Sequence, residues 1–131
     1  MNTESKLGEF HWNELHTTDV VKAKKFYSSL LGWTFSEHRM GTVKYTMIKL
    51  AGKAIGGMMT IRDDSPTPYW TSYIIVEDMD VTIKQVSNLG GEVLVPSTTV
   101  PNMGVFAVIS DPTGASIALW QSLDDKWGFY A

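Results

Sequence analysis

The stretch WNELHTTDVVKAKKFYSSLLGWTF, residues 12–35, aligns without gaps on TSYIIVEDMDVTIKQVSNLGGEVL, residues 71–94. The offset is 59 residues, and five positions coincide: Asp19 with Asp78, Lys25 with Lys84, Ser28 with Ser87, Leu30 with Leu89, and Gly32 with Gly91. Identity is sparse, but the pattern repeats in full: strand, acidic turn, amphipathic helix, glycine, strand. Internal repetition at this spacing is read before anything else, because it decides the architecture.

Working outward, Phe10 to His16 reads as a strand, and Thr17, Thr18 and Asp19 supply N-cap candidates for a helix. Val20, Ala23, Phe26, Tyr27, Leu30 and Leu31 recur at helical spacing and predict its buried face. Gly32 is placed to end that helix in a left-handed conformation. In the second unit the strand is Thr71 to Val76, the helical stripe Met79, Ile83, Val86 and Leu89, and the stop Gly90-Gly91.

Three strand candidates follow each helix. They are Trp33–His38, Val43–Leu50 and Ala54–Ile61, then Glu92–Pro96, Val105–Ser110 and Ser116–Gln121. Ala51-Gly52-Lys53 reads as a tight turn, and Asp111-Pro112-Thr113-Gly114 has the residues of a type I turn. The expected fold is therefore α+β, two tandem βαβββ modules at 9–61 and 69–121. A polar, proline-bearing linker, 62–68, joins them, and a tail, 122–131, follows.

Composition bounds the chemistry. The chain has 131 residues, 44% of them hydrophobic and 19% charged, which is ordinary globular usage. It has no cysteine, which excludes disulfides, thiolate metal sites and a cysteine nucleophile. A net charge of −3 gives no pull toward phosphate backbones, so no nucleic-acid partner is expected. No window approaches the roughly 20 apolar residues of a membrane span, and Met1 to Gly8 lacks a signal-peptide core. A cytoplasmic location away from membranes is expected. The three histidines, His11, His16 and His38, are what any metal site would draw on besides carboxylates.

Two βαβββ units resemble the vicinal oxygen chelate superfamily. The specific marks are Asp at each helix start, Phe-Tyr inside the first helix, Leu-Gly-Trp at its end, and Asp-Pro-Thr-Gly before the last strand. That group includes glyoxalase I, bleomycin-resistance proteins and extradiol dioxygenases, and the likeness covers about residues 9–121. The resemblance implies two curved sheets forming a cup, a homodimer, and a divalent metal held by His and Glu at four equivalent strand positions. Carried onto this chain, those positions are Trp12, Gly56, Thr71 and Ala118, the second allowed one residue of error. None is a metal ligand except for one threonine hydroxyl, so no metal or other cofactor is expected.

Side chains alternate across a strand, so Trp12, Glu14 and His16 share one face. By the same parity Tyr73 joins Thr71, Trp120 joins Ala118, and Met58 joins Gly56. The expected ligand-binding set is Trp12, Glu14, His16, Met58, Thr71, Tyr73 and Trp120, suited to a flat aromatic or cationic small molecule. Other readings stay open. The tryptophans can simply fill a closed core. Glu14 can serve as a structural hydrogen-bond partner, and with His16 it can form an acid–base pair or half of a displaced metal site. The last is the alternative of a metal-dependent lyase, isomerase or dioxygenase with displaced ligands. Whether the chain is an enzyme is left open, and no catalytic residue is assigned. His11 is expected beside a helix and His38 in a loop. Trp127, Phe129 or Tyr130 is expected to pack across a partner subunit or over a cup mouth.

Overall fold

The computed structural model describes residues 7–40, 42–61 and 67–123. The expectations for residues 62–66 of the linker and for Trp127, Phe129 and Tyr130 of the tail lie outside the described residues. The chain divides into two compact units. One is Trp12–Thr71, here the N-terminal unit. The other, the C-terminal unit, joins Met1–His11 to Ser72–Ala131.

The first repeat runs β1 (Phe10–Thr17), α1 (Val20–Leu31), β2 (Thr34–Met40), β3 (Val43–Leu50) and β4 (Lys53–Thr60). The second runs β5 (Tyr69–Ile75), α2 (Met79–Val86), a 3₁₀ turn (Ser87–Leu89), β6 (Glu92–Val100), β7 (Gly104–Ser110) and β8 (Ser116–Ser122). Strand order is β2-β3-β4-β1 in one repeat and β5-β8-β7-β6 in the other. In each, the first strand lies parallel to the last, and the remaining pairs are antiparallel.

The repeated caps have a repeated cause. Asp19 accepts from the backbone N–H of Lys22 at 2.9 Å, and Asp78 from that of Val81 at 3.2 Å. Such a cap stabilises a helix start by about 0.5–2 kcal/mol. Gly32, at φ 75°, closes α1 with its N–H on the Ser28 carbonyl. The Asp111–Gly114 turn forms as expected, the Gly114 N–H reaching the Asp111 carbonyl at 2.9 Å.

Each helix covers one face of its own strands. Leu15, Ile48 and Met58 are buried beneath α1, with Val20, Ala23, Tyr27, Trp33 and Phe35 packed on them. Met79, Ala107 and Leu119 form the equivalent cluster at α2, with Ile74 and Ile83 against it. The helical stripe is narrower than expected. Phe26, Leu30 and Leu31 are exposed, as is Leu89 beyond α2. Phe26 sits about 100° around the helix from Tyr27, off the line set by Val20, Ala23 and Tyr27.

Two further boundaries move. His38 lies inside β2 rather than in a loop, its Nε2 2.8 Å from the Ser36 hydroxyl. β6 continues past Pro96 to Val100, because it is an edge strand whose register shifts on both sides of Val95. A proline is tolerated where the ladder is already broken.

Candidate functional site

β1 carries the site of the N-terminal unit. Leu15 points to α1, so Trp12, Glu14 and His16 point to the opposite face. Trp12 and Glu14 are both buried, and His16 is 16% exposed at its side chain. From β3, Tyr45 reaches the same face and is fully buried.

These four groups form a directed chain of hydrogen bonds. The Trp12 indole N–H donates to the Tyr45 hydroxyl at 2.8 Å. The Tyr45 hydroxyl donates to Glu14 Oε2 at 2.7 Å. Glu14 Oε1 lies 2.9 Å from His16 Nε2. The His16 ring then stacks on Tyr69, with centroids 4.8 Å apart and planes within 10°. An indole can only donate, which makes the Tyr45 hydroxyl the acceptor of that bond and turns its own proton toward Glu14. Burial of a carboxylate is tolerable because both its oxygens take donors.

Gly57 makes room for this chain. It pairs with Glu14 across the parallel β1–β4 ladder. A Cβ at Gly57 would collide with the Tyr45 ring and hydroxyl, so the tyrosine crosses the bare backbone of β4 to meet β1. Glycine inside a strand often marks such a close approach.

Of the sequence-predicted residues, Trp12, Glu14 and His16 come together as expected. Met58 does not join them, which corrects the sequence-based expectation. It pairs with Leu15 and packs beneath α1. The cause is a register shift in β3–β4, where Ile48 pairs with Gly56 but Lys49 with Ala54, leaving Ile55 as an extra residue. Counting from the turn at Gly52 therefore misses the face by one, and Gly57, not Gly56, is equivalent to Ala118. Thr71 is half-buried on β5. In the C-terminal unit, Ile74 and Leu119 pack toward α2, so Tyr73 and Trp120 share the opposite face with Ala118. Both are buried. His11 is half-buried on β1 and faces away from Trp12.

Sequence reasoning missed Tyr45, Gly57 and Tyr69. The Gly56-Gly57 pair was the available signal for a side chain crossing the strand. The other faces hold less chemistry. Tyr27 stacks on Trp33 at 5.0 Å with Trp70 edge-on to both, an aromatic cluster against α1. A groove of about 200 Å³ in the C-terminal unit is bounded by Thr99, Asn102, Gly104, Gln121 and Leu123 and has no titratable lining. Among the described residues, no three His, Asp or Glu side chains converge as a metal cage. No described helix is long and apolar enough to cross a membrane.

Paired βαβββ repeats with a parallel first-to-last strand pairing define the glyoxalase/bleomycin-resistance/dioxygenase fold. The M. tuberculosis methylmalonyl-CoA epimerase has this fold too, at a TM-score of 0.64 and 17% identity, over 94% of this chain and 93% of that one. The family model for the bleomycin resistance protein-like N-terminal region matches residues 9–50. The Mycobacterium tuberculosis protein named "Putative glyoxylase CFP32" is 36% identical over 125 residues, 92% of this chain and 48% of its own length. The anthracycline biosynthesis protein DnrV of Streptomyces peucetius is 32% identical, over 84% of this chain and 46% of its own length. The chain thus spans about half the length of these curated relatives. It belongs to the vicinal oxygen chelate superfamily, as a glyoxalase-like protein.

Proposed function

We propose that the face of the N-terminal unit opposite α1 binds a flat aromatic or cationic small molecule, without the metal of the family. The observation that carries this reading is the buried chain from Trp12 through Tyr45 and Glu14 to His16, which ends at a partly open imidazole beside Tyr69. Aromatic walls with a few placed polar groups are the usual make-up of small-molecule sites. A relative whose name places it in the making of anthracyclines, a flat aromatic class, supports the aromatic arm.

The donor set argues against the family metal. Its four positions hold an indole (Trp12), no side chain (Gly57), one hydroxyl (Thr71) and a methyl (Ala118). A borderline divalent ion needs imidazole or carboxylate donors there. The second reading, a metal-dependent enzyme with displaced ligands, draws on the 2.9 Å approach of Glu14 and His16. It is weakened because Glu14 already accepts from Tyr45 on its other oxygen.

The test uses the whole chain, a panel of planar aromatic compounds and a panel of quaternary ammonium compounds. Saturable quenching of tryptophan emission with a rise in melting temperature is expected, weakened by His16→Ala. No response across both panels would sink the binding reading. Stoichiometric transition metal in the purified protein, lost on Glu14→Ala, would replace it with the second reading.

A further inference from the structure

We infer that His16 is the proton acceptor for a bound ligand bearing an acidic O–H, of the phenol type. The inference rests on the ligand-binding reading above and narrows its chemistry. It follows from which atoms the relay leaves open.

The Trp12 indole can only donate, so the Tyr45 hydroxyl accepts from it and sends its own proton to Glu14. As a carboxylate, Glu14 can only accept, so its second oxygen takes a proton from His16 Nε2. In the neutral ring one nitrogen carries the proton and the other is a bare acceptor. Nδ1 is therefore the bare one, and among the described residues the ring's polar contact is through Nε2 alone. Glu14 is 2% exposed with an acceptor bond on each oxygen, so the relay presents an imidazole lone pair and not an open carboxylate. The stacked Tyr69 ring holds the imidazole plane.

Proton balance is simple. The ligand O–H bond breaks, its electron pair stays on the ligand oxygen, and an N–H bond forms at Nδ1. The imidazolium is held against the Glu14 carboxylate through Nε2–H, and the phenolate pairs with it. A carboxylate behind an imidazole sets the tautomer and steadies the charge that develops.

The probe is para-nitrophenol, mixed with the whole chain at a pH where the free compound is neutral. Binding is read by tryptophan quenching and ionisation by the visible phenolate band. The expected result is quenching together with the phenolate band. His16→Gln keeps an N–H donor for Glu14 and removes the basic nitrogen. It is expected to weaken quenching and, at saturating ligand, to lose the band. Nitrogen chemical shifts of His16 in the unaltered chain are expected to show a protonated Nε2 and a bare Nδ1. Quenching by a compound that stays neutral overturns the proton-acceptor role alone, as does a band that survives His16→Gln or a proton found on Nδ1. No quenching by para-nitrophenol overturns the proton-acceptor role, and no response to either the planar aromatic or the quaternary ammonium panel overturns the ligand reading with it.

Discussion

The two repeats place the same positions on the same faces but fill one face with opposite chemistry. At the offset of the repeat, Glu14 corresponds to Tyr73 and His16 to Ile75. Phe106 pairs with Trp120 across β7–β8, where the first repeat sets Tyr45 one residue from the Thr46–Met58 pair. So the N-terminal unit carries Trp12, Glu14, His16 and Tyr45 where the C-terminal unit carries Thr71, Tyr73, Ile75 and Phe106. Toward the helices the two agree: Leu15 and Met58 beneath α1 answer to Ile74 and Leu119 beneath α2. The helix-side face specifies the fold, and the opposite face is left to vary with use. Function is therefore argued from residues on that second face and not from the architecture.

The largest effects should fall where the repeats agree. Met58→Ala and Leu119→Ala each remove a buried side chain from a helix-side cluster. Each is expected to cost about 2–5 kcal/mol, read as a fall in the urea midpoint at unchanged slope. If Met58→Ala altered ligand quenching while leaving stability intact, its place beneath α1 would be wrong. A smaller and asymmetric effect is expected at the equivalent pair Gly57 and Ala118. Gly57→Ala drives a methyl into Tyr45 and is expected to cost about 1–3 kcal/mol, with a shift of Trp12 emission. Ala118→Gly needs no such movement and is expected to cost about 0.5–1 kcal/mol.

The same contrast explains what could be read in advance. Helix caps, helix stops and strand parity are local, so Asp19, Asp78, Gly32 and the shared face of Trp12, Glu14 and His16 were legible in the chain. Tyr45 was not. It meets Glu14 only because β4 lies between β3 and β1 and presents a glycine at the crossing point, a fact of register. Met58 was misplaced for a related reason, since one extra residue at Ile55 turns the face of everything beyond it. The exposure of Phe26 and Leu30 shows the limit of periodicity: a stripe marks the apolar residues but not how many of them the sheet covers.

A third prediction isolates the relay from the packing around it. Tyr45→Phe keeps the ring over Gly57 and removes the hydroxyl that accepts from Trp12 and donates to Glu14. It is expected to destabilise by about 1–3 kcal/mol. A double-mutant cycle with Glu14→Gln should return a coupling of about 0.5–3 kcal/mol. The matching cycle on Phe106 and Tyr73 should return less, because Phe106 has no hydroxyl to couple. Equal couplings in the two units would remove the chemical distinction drawn between their faces.

The smallest effect lies at the edge of α1, where the repeats again part. Lys24 and Thr46 hold Glu37, at 2.8 Å and 3.0 Å. The C-terminal unit has Ile83 and Ala107 at the corresponding places. The Lys24 ammonium holds the Glu37 carboxyl below its usual range, against the opposing effect of burial, with Thr46 and the charge of Lys44 adding to it. A carboxylate depressed in the folded state stabilises the fold above its unfolded pKa. That contribution is lost as the pH falls through the depressed folded value. The Glu37 side chain is 38% exposed, so solvent screens the pair and the loss is small. In a carbonyl-detected titration, Lys24→Ala is expected to move Glu37 back toward the ordinary carboxylate range, and salt to shrink the difference. An unmoved Glu37 would assign its depression to Thr46 and Lys44, and the polar edge of the N-terminal unit would not depend on its helix.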